Sequence, residues 1–251
     1  MGTLEGKVAL ITGAGQGVGQ GIAFAMAAEG ASIAVSGRTL SKLETTCETM
    51  IDRGGRAQPF GCNVKDNESL ESLVKGVIEH FGTIDILVNN AQEVPLGPLN
   101  GVSEQSFTAG WESGPLATFR LMRLCYPQLK GGGSIVNLGS AAAKRWDMAN
   151  YGCYAAVKEA IRSLTRAAAC EWAVDGIRTN VVLPHAKSPA LVGWIDDNPE
   201  EAKEFFSTIP MRRVGECEED IGRFVAMLCS DASAYINGQT IAIDGGQAFL
   251  G

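Results

Sequence analysis

The sequence predicts an α/β protein with one sheet of seven parallel strands and helices on both faces. Short apolar runs alternate with segments of helical periodicity along almost all of the 251 residues. Strands joined through helices pair in parallel by right-handed crossovers, which place helices on both faces of the sheet. Unbroken apolar runs such as 84–88 are typical of strands buried on both sides. Since no linker, repeat or low-complexity segment interrupts the pattern, we expect a single domain over residues 1–251.

The elements follow one another in strict alternation at first. A short buried run at 7–12 predicts the first strand, and an Ala-rich segment at 18–29 predicts the helix after it. Apolar runs and helix-period segments then continue to alternate. The remaining predicted strands are 32–36, 57–61, 84–88, 134–138, 177–182 and 240–243, and the remaining predicted helices are 41–53, 68–81, 103–129, 151–174 and 218–229.

Two segments, 89–102 and 184–213, break this alternation. Long insertions at the carboxyl ends of parallel strands lie where ligands bind in such sheets. The second segment mixes aromatic and acidic residues, with Pro189, Pro199 and Pro210 as predicted helix breakers. We interpret residues 184–213 as a substrate lid, and the alternative is a packed surface excursion.

Composition narrows the class of protein. A net charge of -7 argues against a nucleic-acid partner, which requires a basic face. The absence of a run of about 18 apolar residues argues against a membrane span, and the N-terminal residues lack the apolar core of a signal peptide. The seven cysteines form no Cys-x-x-Cys pair and only two histidines are present, so no metal site is expected. Scattered thiols are typical of a cytoplasmic protein.

A glycine-rich turn, Thr12-Gly-Ala-Gly-Gln-Gly-Val-Gly19, follows the first predicted strand. It places Gly13, Gly17 and Gly19 where a strand turns into a helix. Glycines there let the backbone approach a pyrophosphate, whose charge the helix N-terminus favours. The alternative is a flexible turn, but its position favours nucleotide binding in a Rossmann-like, doubly wound sheet.

The end of the second predicted strand bears on the choice of cofactor. A dinucleotide fold that prefers NAD usually carries an acid at this point to hold the ribose hydroxyls. Gly37 stands there instead, and Arg38 follows. A guanidinium can bind a 2′-phosphate through charge-assisted hydrogen bonds, so we expect NADP(H) to be preferred over NAD(H). The alternative interpretation is a solvated arginine.

Tyr154 and Lys158 lie four residues apart, a spacing that puts both side chains on one face of a helix. A cation near a phenol favours the phenolate and lowers a pKa that starts near about 10. Such a tyrosine could exchange a proton with a substrate oxygen at neutral pH. The spacing alone also occurs by chance in surface helices.

Further motifs stand in order along the chain: Asn89-Asn90-Ala91, Ser140, Asn180-x-x-x-Pro184 and Asp244-Gly245-Gly246. Together with the glycine turn and the Tyr–Lys pair, they resemble the single-domain short-chain dehydrogenase/reductase family over essentially the whole length. The resemblance implies an NAD(P)-dependent oxidoreductase that interconverts a secondary alcohol and a ketone by hydride transfer.

The resemblance also implies roles for single residues. Tyr154 would be the acid/base, Lys158 would bind the nicotinamide ribose and lower the tyrosine pKa, and Ser140 would hydrogen-bond the substrate oxygen. Ser140 lies one residue further from Tyr154 than is usual in the family, and Ala141 occupies the usual position. Tyr151 lacks a lysine four residues later, because Ala155 stands there.

The implied cofactor-binding residues are Gly13, Gln16, Gly17, Val18, Gly19, Arg38, Asn63, Val64, Asn90, Ala91, Tyr154, Lys158, Pro184 and His185. Asn63 replaces an aspartate that faces the adenine in the family, and its amide oxygen can still accept a proton. The implied substrate contacts are Gln92, Trp146, His185 and Trp194, within a wider pocket that also includes Glu93, Val94, Leu96, Met148 and Phe205. This mixture suits a medium-sized, partly apolar molecule.

Three positions depart from the family pattern at the reactive end. Gly114, followed by Pro115, stands where the family carries an asparagine that links the lysine to a water chain, and we expect a kink over 110–115. Gln92 and His185 replace small residues. His185 would be a polar substrate contact or proton carrier, or a pocket-wall residue. These departures support an alternative function, a cofactor-binding sensor or scaffold with weak or no catalysis. The resemblance further implies a homotetramer.

Overall fold

A computed structural model describes residues 2–145 and 150–250 of the chain. Within this described part, seven strands form one parallel sheet in the order β3-β2-β1-β4-β5-β6-β7. The prediction of a parallel, doubly wound α/β sheet is therefore confirmed. The strands are β1 Val8–Thr12, β2 Ser32–Gly37, β3 Arg56–Gly61, β4 Ile86–Asn89, β5 Ser134–Leu138, β6 Arg178–Pro184 and β7 Thr240–Ile243.

Helices follow the strands as the alternation predicts. Their bounds are α1 Gly17–Ala28, α2 Leu40–Asp52, α3 Asn67–Phe81, α4 Glu104–Trp111, α5 Ala117–Leu129, α6 Gly152–Glu171, α7 Pro189–Asp197, α8 Pro199–Ser207 and α9 Arg223–Cys229. None of the helices in the described residues combines the length and apolar composition needed to cross a bilayer.

The core lies on both faces of the sheet. Along β1, Ala9 and Ile11 pack with apolar residues of α1, α2 and α9, whereas Val8 and Leu10 pack with those of α3 and α5. This division follows from the two-residue period of a strand, which sends successive side chains to opposite faces. Each fully buried Leu or Ile contributes about 1.5–3 kcal/mol to folding. The unbroken apolar runs of the sequence are therefore explained by burial on both sides.

The predicted helix 103–129 is interrupted by a π-helical turn, Glu112–Leu116, between α4 and α5. Pro115 lies inside this turn. Its nitrogen carries no proton and cannot bond to the carbonyl four residues earlier, so the usual helical ladder cannot continue through it. The interruption expected over 110–115 is thus present as a widened turn.

The prolines of the segment 184–213 were predicted to break helices, and two of them mark the points where helices begin. Pro189 and Pro199 occupy the first positions of α7 and α8. A proline is well tolerated there because the first backbone N–H groups of a helix have no partner within it. Ser188 completes the start of α7 by accepting a hydrogen bond from the Leu191 backbone nitrogen at 3.3 Å. The segment is therefore largely helical.

A buried chain of polar side chains ties α6 to the sheet. The Asn89 amide donates to Asn137 Oδ1 at 2.8 Å, and the Asn137 amide donates to Thr165 Oγ1 at 2.9 Å. Thr165 in turn donates to the Ile161 carbonyl within α6. Because an unsatisfied buried polar group is costly, these bonds fix the position of α6 relative to β4 and β5.

Candidate active site

The predicted site residues meet at the carboxyl edge of the sheet. Gly13 follows β1, Asn90 follows β4, and His185 follows β6, while Ser140 lies two residues after β5. In a parallel sheet all carboxyl ends lie at one edge, which is where open α/β sheets bind ligands. The topology therefore brings together residues that are far apart in the chain.

The Asn90 side chain stabilises the glycine turn by hydrogen bonds to its backbone. Its Nδ2 donates to the carbonyls of Thr12 at 2.9 Å and Gly13 at 3.1 Å. Gly13 has φ +66°, and a Cβ there would lie 2.8 Å from Asn90 Nδ2. The Thr12 hydroxyl accepts from the backbone nitrogens of Asn90 and Ala91. A side chain at position 13 would therefore displace the amide that shapes the turn.

The N-terminus of α1 has no side-chain cap. Gln16, at the cap position, has extended backbone, and its Oε1 instead accepts from Lys42 Nζ at 2.5 Å. The first backbone N–H groups of the helix, from Gly17 through Gly19, lack intrahelical partners and carry the positive end of the helix dipole. An uncapped helix start behind a glycine turn fits the pyrophosphate of a dinucleotide.

Three cations flank this turn on the β2–β3 side. Besides Lys42, Arg38 follows β2, and its Nη1 lies 3.0 Å from Glu93 Oε1. Lys65 follows β3, and its Nζ lies 3.0 Å from the same oxygen. The sequence predicted Glu93 among the pocket residues, but its carboxylate is directed towards these cations. Lys42 and Lys65 were not predicted, although Lys65 lies only two residues beyond Asn63.

Asn63 and Val64 follow β3, as predicted, but with different surroundings. Asn63 is exposed, and its Oδ1 accepts from the Lys65 backbone nitrogen at 3.3 Å, which leaves the oxygen a second lone pair. Val64 is buried in the core beneath α3 and α5. Asn63 can thus meet an adenine edge, whereas Val64 offers its backbone only.

Tyr154 lies in the first turn of α6, within hydrogen-bonding contact of Ser140. Burial raises the pKa of Tyr154 to about 12, while the hydrogen bond with Ser140 acts in the opposite direction. The Tyr151 ring stands edge-on at 6.2 Å between centroids. Ser140, not Ala141, is therefore the residue next to the phenol. Its Oγ also accepts from the Ala142 nitrogen at 3.2 Å.

Lys158 is buried one helical turn further along α6. Its Nζ donates to the Leu138 carbonyl at 2.7 Å and lies 5.5 Å from the centroid of the Tyr154 ring. Burial lowers the pKa of Lys158 to about 7. The sequence predicted that this lysine would lower the pKa of the tyrosine, but in the structure burial raises that pKa and the opposing contribution comes from Ser140. The pair is nevertheless adjacent, as its spacing predicts.

Gln92, which was predicted to contact substrate, forms hydrogen bonds with two backbone carbonyls. Its Nε2 donates to the carbonyls of Gly110 at 2.8 Å and Glu93 at 2.9 Å, so the side chain lies against the helical layer. A Cβ at Gly114 would lie 2.5 Å from Gln92 Oε1 and 2.9 Å from Val157 Cγ1. The carboxamide therefore fills the volume that a side chain at position 114 would need. Gln92 Oε1 is buried without a hydrogen-bond partner.

His185 belongs to an aromatic group with Phe205 and Trp194. The ring centroids are 5.5 Å apart for His185 and Phe205, and 6.0 Å apart for Phe205 and Trp194, both in edge-on geometry. Burial lowers the pKa of His185 from its ordinary value, and the charge of Asp244 opposes this effect. Its Nδ1 is buried without a partner. Trp146 and Met148, which were also predicted to contact substrate, lie outside the described residues.

Pro184 ends β6, where it pairs with Ile243 of β7, and the His185 nitrogen donates to the Ile243 carbonyl at 2.9 Å. The start of α7 then returns to the glycine turn, since a Cβ at Gly17 would lie 3.2 Å from Pro189 Cδ. Among the residues that the structure describes, no three His, Cys, Asp or Glu side chains group as metal ligands would. All seven cysteines are free.

A family model described as enoyl-(acyl carrier protein) reductase matches residues 13–248 of the chain. The match spans both the glycine turn and the Tyr154–Lys158 pair. The chain belongs to the short-chain dehydrogenase/reductase family. Members of this family are oxidoreductases, so the resemblance inferred from the motifs is confirmed.

Individual relatives are similar to this chain over nearly its full length. A 12α-hydroxysteroid dehydrogenase from Clostridium sp. is 40% identical over 255 residues, covering 98% of each chain. The structure of a 7α-hydroxysteroid dehydrogenase complexed with NADH and 7-oxo glycochenodeoxycholic acid has a TM-score of 0.92 at 32% identity, with 98% and 95% of the two chains covered. A variant of actinorhodin polyketide ketoreductase with NADPH has a TM-score of 0.91 at 27% identity, covering 98% and 99%.

Proposed function

We propose that this protein is an NADP(H)-preferring oxidoreductase that interconverts a secondary alcohol and a ketone. The observation that carries the proposal is the contact between Tyr154 and Ser140 beside a buried Lys158. These three groups can bind an oxygen, exchange a proton with it and stabilise the charge that results. They lie at the carboxyl edge of the sheet, near the uncapped N-terminus of α1.

Tyr154 is the proton donor when a ketone is reduced. Because burial raises its pKa to about 12, the phenol holds its proton at neutral pH and can give it to an oxygen that becomes basic. Ser140 Oγ, in contact with the phenol, hydrogen-bonds the same oxygen and orients it. The nicotinamide of a bound dinucleotide would supply or accept the hydride.

Lys158 stabilises the phenolate that remains. Its ammonium lies 5.5 Å from the ring centroid in a buried setting, where an electrostatic interaction is stronger than in water. With a pKa of about 7, Lys158 can gain or lose its own proton near neutrality. This property suits a group that passes a proton towards solvent after each turnover.

The glycine turn and the start of α1 would hold the pyrophosphate, with Gln16, Gly17, Val18 and Gly19 supplying backbone N–H groups. Asn63 would meet the adenine, and Asn90 and Ala91 would support the ribose side. Arg38, Lys42 and Lys65 supply positive charge near the adenosine ribose and support a preference for a 2′-phosphate. The relatives with bound cofactor include both an NADH and an NADPH complex, so the support for this preference comes from the chain's own residues alone.

Residues 184–213 would cover the substrate. The contact of Pro189 with the glycine turn and the aromatic group of His185, Phe205 and Trp194 support this role. An apolar, aromatic cover suits a rigid polycyclic ketone, and two of the relatives are hydroxysteroid dehydrogenases. Steroid ketones are therefore the first substrates to test. We expect Trp194→Ala to raise KM for such a substrate much more than it lowers kcat, and an unchanged KM would contradict the lid.

The decisive experiment compares Tyr154→Phe with Tyr151→Phe. NADPH oxidation with a panel of steroid and simpler ketones should fall by about 10²–10⁴-fold in Tyr154→Phe, because the proton donor is lost. The neighbouring ring of Tyr151 is the matched control, and its variant should retain activity within a few fold. Equal rates in Tyr154→Phe and wild type would defeat the assignment. Cofactor binding without turnover across the panel would support the sensor or scaffold alternative instead.

We also propose a homotetramer in the cytoplasm. Phe119 of α5, Trp111 of α4 and Phe249 near the C-terminus are exposed apolar side chains that suit buried interfaces. Free cysteines throughout the chain suit a reducing compartment. Light scattering behind size exclusion should give about four times the mass of the chain, and a monomer would refute the assembly. Alkylation of the protein in its own cells should label every accessible thiol, and a disulfide would refute the compartment.

A further inference from the structure

One carboxylate oxygen, Glu93 Oε1, joins two cations that follow different strands. It lies 3.0 Å from Arg38 Nη1 and 3.0 Å from Lys65 Nζ. We call these three side chains the Glu93 bridge. Arg38 comes one residue after β2, Lys65 four residues after β3, and Glu93 four residues after β4. The bridge therefore spans the carboxyl edge of the sheet.

The order of the strands fixes what the bridge crosses. β1 lies between β2 and β4, and adjacent strands are about 4.8 Å apart. A link from the end of β2 to the segment after β4 must therefore pass the end of β1, where the glycine turn and the start of α1 lie. The bridge stands beside the site that would receive the adenosine part of a dinucleotide.

Two hydrogen bonds to side chains hold the backbone of Glu93 in place. Its nitrogen donates to Ser113 Oγ at 2.9 Å, and its carbonyl accepts from Gln92 Nε2 at 2.9 Å. The carboxylate is thus presented to Arg38 and Lys65 by a fixed main chain. The side chain of Arg38 is 65% exposed, whereas those of Lys65 and Glu93 are 28% and 32% exposed. Solvent and ligands can reach the bridge without unfolding the loop.

The charges of the bridge predict competition. Arg38 and Lys65 together carry two positive charges, and Glu93 neutralises one of them. A 2′-phosphate monoester carries about −1.5 to −2 charges at pH 7 and accepts hydrogen bonds from the same kind of donors. To reach both cations it must displace the Glu93 carboxylate, which then remains nearby as a like charge. A ribose that bears only hydroxyls meets no such opposition.

We propose that Glu93 is a specificity-determining residue that acts as an internal competitor of the 2′-phosphate for Arg38 and Lys65. This inference rests on the proposed function, because it assumes that the glycine turn binds a nicotinamide dinucleotide. Glu93 limits the preference for NADP(H) that the cations create, and it leaves NAD(H) binding largely unaffected. Its removal frees both cations for the phosphate.

The test measures dissociation constants, not turnover. Titration calorimetry of the purified full-length protein with NADP⁺ and with NAD⁺, at one fixed ionic strength, compares wild type with Glu93→Gln. We expect Kd for NADP⁺ to fall by about tenfold in Glu93→Gln, and Kd for NAD⁺ to change by less than about twofold. Glu79→Gln is the matched control, because it removes the same charge from an exposed ion pair with Lys75 on α3. It should leave both constants unchanged.

A second variant isolates the mechanism. Lys65→Met should weaken NADP⁺ binding, and in that background the gain from Glu93→Gln should shrink, because one of the two contested cations is gone. An equal effect of Glu93→Gln on both cofactors, or no effect on NADP⁺, would overturn the inference and leave the proposed function intact. Failure of the wild type to bind either dinucleotide would overturn both.

Discussion

The Gln92 carboxamide lies over Gly114 so closely that a Cβ on the glycine would be 2.5 Å from Gln92 Oε1. The two residues come from different elements, the loop after β4 and the π-helical turn between α4 and α5. Together they are complementary, because the glycine makes the space that the glutamine fills.

This complementarity predicts non-additive substitutions. Gly114→Ala should destabilise the protein by about 1–3 kcal/mol through overpacking. In a Gln92→Gly background the same change should cost at least about 1 kcal/mol less, because the opposing side chain is gone. Urea unfolding of the wild type, the two single variants and the double variant gives the coupling free energy between positions 92 and 114. Gly193→Ala is the control, since a Cβ there meets nothing within 4 Å, and it should be neutral or stabilising. Additive effects would contradict the pairing.

The burial of Lys158 predicts a stability that depends on pH. Its pKa is lowered to about 7 in the folded protein, whereas the unfolded chain holds the proton up to about 10.5. Between these values the unfolded state binds more protons, so this lysine costs stability at neutral pH and costs less as pH rises. Lys158→Met should therefore be more stable than wild type near pH 7, with a difference that narrows by about 2 kcal/mol towards about pH 9.5. Chemical unfolding at both pH values measures it.

The pH dependence of Lys158→Met needs a control at an exposed lysine. Lys75→Met, at an exposed position on α3, is the control and should show no such narrowing. A constant difference between Lys158→Met and wild type across the pH range would mean that Lys158 is not desolvated as its surroundings indicate. Activity should be lost in Lys158→Met in any case, because the phenolate loses its stabilising cation.

His185 predicts sensitivity at acid pH. Burial lowers its pKa from 6.5, so the unfolded chain takes up the proton first as pH falls. The contribution of the neutral His185 ring to folding stability is therefore complete above about pH 6.5 and is lost as the pH falls below that value. His185→Phe should reduce the loss of stability between about pH 7.5 and about pH 5.5 by up to about 1 kcal/mol, allowing for partial solvent screening. The control is His80→Gln at the exposed end of α3, and equal acid sensitivity of His185→Phe and wild type would refute the prediction.

The polar chain behind α6 predicts a structural role for Asn137. Asn137→Ala leaves the Asn89 amide without its acceptor and removes the donor to the Thr165 hydroxyl, which should cost about 2–4 kcal/mol. Thr165→Val added to Asn137→Ala should cost little more, because the bond between them is already lost. Thermal and urea unfolding measure both. Asn67→Ala, which removes an exposed side chain bonded to Glu71, should stay within about 0.5 kcal/mol. A similar cost at both asparagines would contradict the network.

The fold was predictable because burial on two faces leaves a clear pattern in the sequence. The limits of that pattern are visible at β4, which was expected over 84–88 and runs over Ile86–Asn89. Ile84 is buried and apolar but precedes the strand, and the Asp85 carboxylate accepts a hydrogen bond from the Val8 nitrogen at 2.8 Å. Side-chain bonding of this kind depends on a partner far away in the chain. Apolar periodicity cannot reveal it.

The site was predictable where a residue's role follows from its position on an element. Tyr154 and Lys158 share one face of α6 because helical spacing requires it. Gln92 and Glu93 lie in irregular backbone after a strand, where no period fixes the direction of a side chain. Their contacts with Gly114 and with Arg38 depend on how the loop packs on α4 and the π-helical turn. The contacts of these two side chains therefore could be identified only in the three-dimensional structure.

Gln92 and Glu93 are consecutive, and their side chains contact different parts of the protein. One side chain is directed to Gly114 in the π-helical turn, and the other to the cations after β2 and β3. Deleting Gln92, the one residue between Ala91 and Glu93, would remove the side chain that covers Gly114 and would draw Glu93 one position back towards β4, away from its cations. The length of this loop is therefore as strongly constrained as its composition. Efforts to redesign cofactor choice in this protein should keep the loop length and change only the side chain at position 93.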